Sequence, residues 1–482
     1  MQANFQFLVV LLLGLLSLSS CDTGQKLDNI PPETSIFLDE IKLEGENRLA
    51  SVIRLYWLGE DVDGYVTGYE ISLDNQNWKF TTRTDSTFNF EIPSGQDSTD
   101  VTFYVRAIDN EDARDPEPDF LSIPLINTPP VAVFDTVNTL PDTFFTVGAL
   151  SLIIDDFDGS ETVDSVFIKA NEGDWFYVDP NTTIASLLPQ NPTSATEQSA
   201  SVYENLEAPG SELMNGLKLG SDNVFYVRAV DIAGSESKID TSNTIFIKEQ
   251  TGDLLVLDDY NTITPDSTYL QVLNKVYPSF DRVEIRTNVP ALWNPTFRIW
   301  IDLYDKIFWY GDGQFADGTE SLMVELAGNE IINYLNDGGK LILSTSFGGQ
   351  FNSRANLLLS PLFEFTPMDS LANNLGQARL PINNTLDPRG EFDTDFSPLV
   401  SGSFGTGLDP YYPKDTSNTI FLANLTGAGR PWNGPQDMIG RTIFTNGETN
   451  LVFSSIELHN LRGDKAALEA FFDQILNGYF DW

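Results

Sequence analysis

Residues able to make and break bonds are scarce in this chain, so the few present are informative. Of 482 residues one is a cysteine, Cys21 in "LLSLSSCDTG", and one is a histidine, His459 in "SSIELHN". A serine-histidine-acid set needs a hydroxyl beside the imidazole and a carboxylate to orient the ring. The candidate hydroxyl is Ser346 in "LILSTSFGG", with Asp258 and Asp259 of "LVLDDY" and Asp312 of "YGDG" as the acids. The other chemistry-bearing pattern is Asp-x-Asp-Gly, present as "EDVDG" over Glu60, Asp61 and Asp63 and as "DDFDG" over Asp155, Asp156 and Asp158. Clustered carboxylates repel one another, and a hard cation taking six to eight oxygen ligands relieves that repulsion. The same pattern also builds a turn whose side chains cap main-chain N–H groups.

From Phe5 to Leu18 the chain is nearly continuous apolar sequence, too short for a permanent transmembrane helix, and it closes on Ser19 and Ser20 before Cys21. This reads as a signal peptide over residues 1–20, followed by a linker over 21–28. Leu18-Ser19-Ser20-Cys21 resembles the bacterial lipobox, although residues 1–20 hold no Lys or Arg. The resemblance implies a diacylglyceryl thioether on Cys21 and an N-acyl chain such as palmitate, enough chains for stable anchoring. An ordinary secretory signal with an incidental cysteine is the alternative. With Cys21 given to lipid no thiol remains, which excludes disulfides, cysteine-ligated zinc and a cysteine nucleophile. The 27 basic and 70 acidic residues leave a net charge of -43, which repels nucleic acid.

Two segments begin alike, "NIPPETSIFLD" from Asn29 and "NTPPVAVFDT" from Asn127, about 100 residues apart, the length of one β-sandwich. Each continues through an acidic turn to a strand carrying a tryptophan, then to "FYVRA" at Phe103–Ala107 and Phe225–Ala229. Alternating apolar and polar residues with Gly, Asn and Asp turns predict antiparallel strands with one buried face. The run W-x(n)-D-x-D-G-x-V-x-G-Y followed by F-Y-V-R-A-x-D resembles a fibronectin type III or related Ig-like module, over 29–125 and again over 126–248. Trp57, Tyr104 and Tyr226 are then expected in the cores. The second copy carries an insertion over about 179–220, rich in Asn, Thr, Ser, Pro and Glu, read as a binding loop or as tolerated variation. On this fold the acidic turn and the loop between the last two strands share one end. Asp109, Glu111 and Asp112 would then meet Glu60, Asp61 and Asp63, and Asp231 would meet Asp155, Asp156 and Asp158, as a Ca2+ site or as capped turns.

Past Gly252 the period changes. "DLLVLDDY", "RVEIRT", "DKIFWYGDG", "KLILSTSFGG" and "NLVFSSIEL" read as strands, and "PDSTYLQVLNKV", "ESLMVELAGNEIINYLNDGG" and "KAALEAFFDQILNGYF" have helical spacing. Alternating strands and helices predict a parallel, doubly wound α/β layer over 250–482. "YDKIFWYGDG" and "EIINYLNDGGKLILS" resemble the third strand and the helix, Gly-Gly turn and fourth strand of the class I glutamine amidotransferase-like, flavodoxin-like superfamily. The resemblance implies a nucleophilic cysteine after the central strand and a histidine near the last one. Ser344, Thr345 and Ser346 stand where that cysteine is wanted, so ammonia release is not expected, and the family's His-x-Glu order is reversed as Glu457-Leu458-His459.

The carboxyl ends of strands in such a sheet converge on one crevice, which would gather Asp258, Asp259, Asp312, Ser346 and His459. "STSFGG" lacks the G-x-S-x-G elbow that exposes a strained serine, and a solvent-exposed His459 is the plainer expectation. Trp432 in "GAGRPWNGPQDMIGR" and Tyr411 and Tyr412 in "DPYYPKD" are aromatics suited to stacking on a sugar ring or a partner, or to closing a local core. The whole is therefore expected to be multidomain, two all-β Ig-like sandwiches followed by an α/β doubly wound domain. It resembles the surface lipoproteins of Bacteroidetes-type bacteria, which implies an outer-membrane anchor and a non-catalytic binding or scaffold role toward envelope proteins or glycans. A glycan-binding lipoprotein of a polysaccharide-uptake system and a hydrolase using Ser346 and His459 are the alternatives.

Overall fold

The computed structural model describes residues 28–38, 52–135, 140–261, 265–287, 295–347, 361–444 and 447–481, apart from 91, 94–95, 97, 206, 317–318, 320 and 373–376. Cys21 and the expected signal peptide lie outside the described residues. Among the described residues no helix is long and apolar enough to cross a membrane. The chain divides into two compact units, one holding the residues up to Pro130 with the loops Asp156–Thr162 and Asp231–Ser235, the other holding the rest.

Strand alternation builds the first sandwich. β1 (Glu33–Leu38), β2 (Val52–Glu60) and β5 (Asp85–Asn89) form one antiparallel sheet in the order β1-β2-β5. β3 (Val66–Ser72), β4 (Lys79–Thr81), β6 (Ser98–Asp109) and β7 (Asp119–Ile126) form the other, in the order β4-β3-β6-β7. Every second residue of β2 turns inward, so Ile53, Leu55 and Trp57 enter the core. Trp57 packs among Tyr69, Phe88 and Phe103, and its Nε1 donates to the Arg83 carbonyl at 2.7 Å. In "FYVRA" the inward residues are Phe103, Val105 and Ala107, which corrects the placement of Tyr104. Tyr104 is on the outer face against Phe120, because the pleat sends neighbours to opposite sides.

The second sandwich repeats the plan. Its sheet β12-β11-β17-β18 joins Phe176–Val178 (β12), Val163–Ala170 (β11), Phe225–Asp231 (β17) and Asp240–Thr241 (β18). Tyr226 again faces out, beneath the Lys169 ammonium, while Phe225 and Val227 fill the core. Both copies stack the arginine of "FYVRA" on the tryptophan read from the sequence, Arg106 over Trp78 at 4.1 Å and Arg228 over Trp175 at 4.9 Å. The insertion is sheet rather than loop. Ile184–Pro189 (β13), Glu197–Glu204 (β14) and Met214–Lys218 (β15) extend the strands Gly148–Asp155 (β10) and Val131–Phe134 (β8) in the order β15-β14-β13-β10-β8. Ala185, Leu187, Ala200, Val202, Met214 and Leu217 are buried, so the added strands carry part of the core.

After Gly252 five strands run parallel. β20 (Leu254–Asp259) lies between β21 (Phe280–Glu284) and β22 (Lys306–Gly311), followed by β23 (Lys340–Thr345) and Thr449–Ser454. β20, β22 and β23 are buried at every position, as unbroken apolar runs are when both faces are covered. Leu255, Leu257, Ile307, Trp309, Leu341 and Leu343 join one core with α2 (Thr296–Ile301) and α3 (Gly328–Asn336). Leu254, Val256, Phe308, Tyr310 and Ile342 join the other with α1 (Asp266–Val276) and α4 (Lys465–Gln474). The Gly-Gly after α3 serves packing: Gly338 has φ +101°, and a Cβ on Gly339 would fall 2.3 Å from the Tyr334 ring. Beyond the fifth parallel strand the sheet continues antiparallel through Asp437–Ile443, Thr419–Ala423, Thr385–Pro388 and Leu399–Val400. The sequence pattern did not announce this extension.

Candidate functional site

Parallel pairing sets the carboxyl ends of β20, β22, β23 and Thr449–Ser454 side by side, and the residues just past them form a polar cluster. Ser346 Oγ lies 2.9 Å from Glu457 Oε1 and 3.1 Å from the Asp312 carbonyl. Gly313, at φ +68°, fixes that approach: a Cβ there would fall 2.0 Å from the Ser346 carbonyl oxygen. His459 turns elsewhere. Its Nδ1 is 3.3 Å from the Tyr260 hydroxyl, its Nε2 is 3.7 Å from Glu457, and its main-chain N–H donates to Tyr269. The expectation of a solvent-exposed His459 is corrected, since its side chain is only 13% exposed. The cluster lacks the serine–histidine contact on which a Ser346/His459 hydrolase would depend, because Glu457 takes the serine.

Burial governs the electrostatics here. It pushes the His459 pKa down to about 4, with Arg462 adding repulsion, so the ring is neutral near pH 7. Burial raises the Glu457 carboxyl, while hydrogen bonds from Ser346, Tyr260 and Asn460 pull the other way. Asp258 and Asp259 do not reach Ser346. Asp258 is held by Arg282 at 2.5 Å and Asp259 by Arg286 at 2.8 Å. Burial still pushes Asp259 up to about 7, against the pull of Arg286. Asp312 accepts from the Asn261 and Gln314 main-chain N–H groups.

One contact bears directly on catalysis. The N–H that follows a nucleophile is the usual donor to a developing oxyanion. Here the Phe347 N–H donates to Asp409 Oδ2 at 3.3 Å, and Asp409 is 2% exposed. Asp409, Tyr260 and Tyr269 were missed from sequence. Tyr260 directly follows the strand-end acids and carried a signal, whereas Asp409 lies far along the chain and carried none.

In the sandwiches the acidic turns accept hydrogen bonds from nearby protein groups, although Asp61 Oδ2 is buried without one. Asp109 accepts from Asn29 Nδ2 at 2.6 Å and from the Glu111 and Ala113 N–H groups. Asp231 accepts from Asn127 Nδ2 at 2.6 Å and from the Ser235 N–H. Asp63 takes the Ile30 N–H and Asp158 takes the Thr128 N–H, so each N-x-P-P segment is held by both loops of its sandwich. Asp61 and Asp156 accept from the N–H two residues on, as Asx turns do. Glu60, Asp112 and Asp155 are exposed. Among the described residues no group of three or more His, Cys, Asp or Glu side chains is arranged to hold a metal ion. These contacts are those of capped turns.

Of the aromatics singled out in sequence, Tyr411 is wholly buried, while Tyr412 and Trp432 line one cleft of about 330 Å³.

No protein-family model matches the chain, and no curated protein matches it. Solved structures similar to parts of it include the fibronectin(III)-like modules of Clostridium thermocellum CbhA, at 13% identity over 44% of this chain and 94% of that one, TM-score 0.17. A two-domain fibronectin type III segment of chicken tenascin is 11% identical over 45% of this chain and 99% of that one, TM-score 0.21. The PKD1 domain of Vibrio anguillarum Epp is 12% identical over 20% and 99%, TM-score 0.15. The sandwich assignment rests on the strand order described above, which is that of fibronectin III-like, Ig-like domains.

Proposed function

We propose that this protein is a lipid-anchored lipoprotein of the cell envelope, held at the outer membrane through Cys21, and that its role is binding or scaffolding without turnover. Its C-terminal part keeps an amidotransferase-like, flavodoxin-like frame whose nucleophile is gone. The parallel order β21-β20-β22-β23 with helices on both faces supports that frame. The observation that carries the non-catalytic reading is the Phe347 N–H donated to Asp409, which puts a carboxyl oxygen where an oxyanion would have to form. Ser346 is also committed to Glu457, and the neutral His459 to Tyr260. Two Ig-like modules between anchor and C-terminal part suit a binding arm.

Growth of cells expressing the full chain with an alkyne-bearing palmitate tests the anchor. The expected result is label on Cys21, lost in Cys21→Ala together with sedimentation in the membrane fraction. A free thiol at position 21 or an N-terminus upstream of it contradicts the proposal.

A further inference from the structure

Trp432 is half-buried with its Nε1 committed to the Pro435 carbonyl at 2.8 Å, and a Cβ on Gly434 would fall 2.3 Å from the ring carbon Cζ2. The indole is thus fixed before any ligand arrives, and what it offers is ring surface rather than its N–H. Tyr412, which lines the same cleft, is 46% exposed. Gln377, Arg430 and Asn433 line it as well, all exposed and all planar at their polar ends. Among the described residues no carboxylate pairs with Arg430, the only charged residue lining the cleft. In a chain of net charge -43 an uncommitted guanidinium at a cleft selects for an anion. The larger cleft at the amino ends of the parallel strands, about 510 Å³, differs on this point. Its cations are already held, Arg298 by Asp302, Lys306 by Asp481 and Lys340 by Glu448.

We propose that the Tyr412–Trp432 cleft binds an acidic glycan, with one pyranose ring lying on the aromatic surface and its carboxylate at Arg430. A pyranose presents axial C–H bonds on one face, which suit an aromatic ring, and equatorial hydroxyls at its rim, which suit amides and guanidinium. A protein anchor would want an apolar pocket for its own aromatic or aliphatic side chain, and this cleft supplies amides instead. At about 330 Å³ it is at the small end of ligand sites, room for a short stretch of sugar. The inference rests on the binding role proposed above and gives it a ligand class.

Calorimetric titration of the full chain with a short oligogalacturonate, against a neutral cello-oligosaccharide of equal length, tests it. The acidic sugar is expected to bind, with affinity falling about tenfold or more in Tyr412→Ala and in Trp432→Ala, the loss of one stacking contact. Arg430→Gln is expected to erase the preference for acid over neutral sugar. Tyr412→Ala and Arg430→Gln alter exposed side chains, so unchanged melting in both keeps the result interpretable even where Trp432→Ala folds poorly. No binding at millimolar sugar overturns the inference. So does binding that Tyr412→Ala and Arg430→Gln leave unchanged, or a membrane protein captured through the cleft and lost in Tyr412→Ala. Palmitate labelling of the same preparations separates the two proposals: labelled protein that binds no sugar removes the ligand class and leaves the anchored-lipoprotein reading standing.

Discussion

In the two sandwiches most turn carboxylates sit among main-chain N–H groups and asparagine amides, whereas at the strand ends of the C-terminal sheet Asp258 and Asp259 sit against arginines and Glu457 against side-chain hydroxyls and an amide. Burial works against the Asp109 carboxylate, yet hydrogen bonds from Asn29, Glu111 and Ala113 outweigh it and hold its pKa below the usual value. Asp259 is pushed up to about 7 and Glu457 is also raised, burial being the first cause in both. Asp156 is the exception within the sandwiches, raised by burial and by the nearby charges of Asp158 and Asp231. Residue type alone therefore does not say what an acid does. The balance between burial and the hydrogen bonds and charges that the local fold brings to it decides which way its pKa moves.

The strongest way to break this contrast is to remove the cation beside Asp259. Arg286→Leu leaves a buried acid without its partner and is expected to cost about 3–5 kcal/mol in urea unfolding at pH 8. The sign with pH follows from the raised pKa. Between the ordinary value of 3.8 and about 7 the folded state binds more protons at Asp259 than the unfolded state, so this group's contribution is lost as pH rises through about 7. The cost of Arg286→Leu is therefore expected to be smaller at pH 5 than at pH 8, and an equal cost at both would place the charge on Asp259 throughout.

Asp231→Ala attacks the other side of the comparison. It removes one of the two acceptors of the Asn127 amide, leaving Ser235 Oγ, and the acceptor of the half-buried Ser235 N–H, and is expected to cost about 1–3 kcal/mol in urea unfolding. A calcium-dependent rise in melting temperature of the unsubstituted chain that Asp231→Ala abolishes would instead make the loop a cation site. The smallest expected effect is at His459. Its folded pKa, about 4, is below its ordinary 6.5, so the unfolded state binds the extra proton and stability falls as pH drops from 6.5 toward 4. His459→Gln is expected to flatten that part of a melting-temperature profile; an unaltered slope would mean that the ring titrates normally.

Much of the sandwich fold was legible because its signals are local. The N-x-P-P starts, the Asp-x-Asp-Gly turns and the two-residue alternation of "FYVRA" each report on neighbours in sequence. That same alternation turns Tyr104 and Tyr226 outward beside the buried Phe103 and Phe225. The inserted strands β13, β14 and β15 were hidden by composition, since Ser, Thr, Asn and Glu on their outer faces read as loop. The antiparallel continuation past Asp437–Ile443 escaped for another reason: strands as short as Leu399–Val400 are too brief to show a period. The strand-end cluster was legible as a set of positions, because the ends of parallel strands must meet. The pairings within it were not. Whether Ser346 faces Glu457 or His459, two residues apart, depends on the turn through Leu458, and Asp409 reaches Phe347 from a loop that no motif marks.

In the binding role proposed above, Ser346 is held by Glu457 and is not an activated nucleophile. A fluorophosphonate probe, which labels activated serines irrespective of the enzyme's substrate, tests it directly on the purified full chain, with the modified residue located by mass spectrometry. No label on Ser346 is expected at any pH from 4 to 8. Label on Ser346 that disappears in Glu457→Gln or His459→Gln would contradict it and make the strand-end cluster a working hydrolase site.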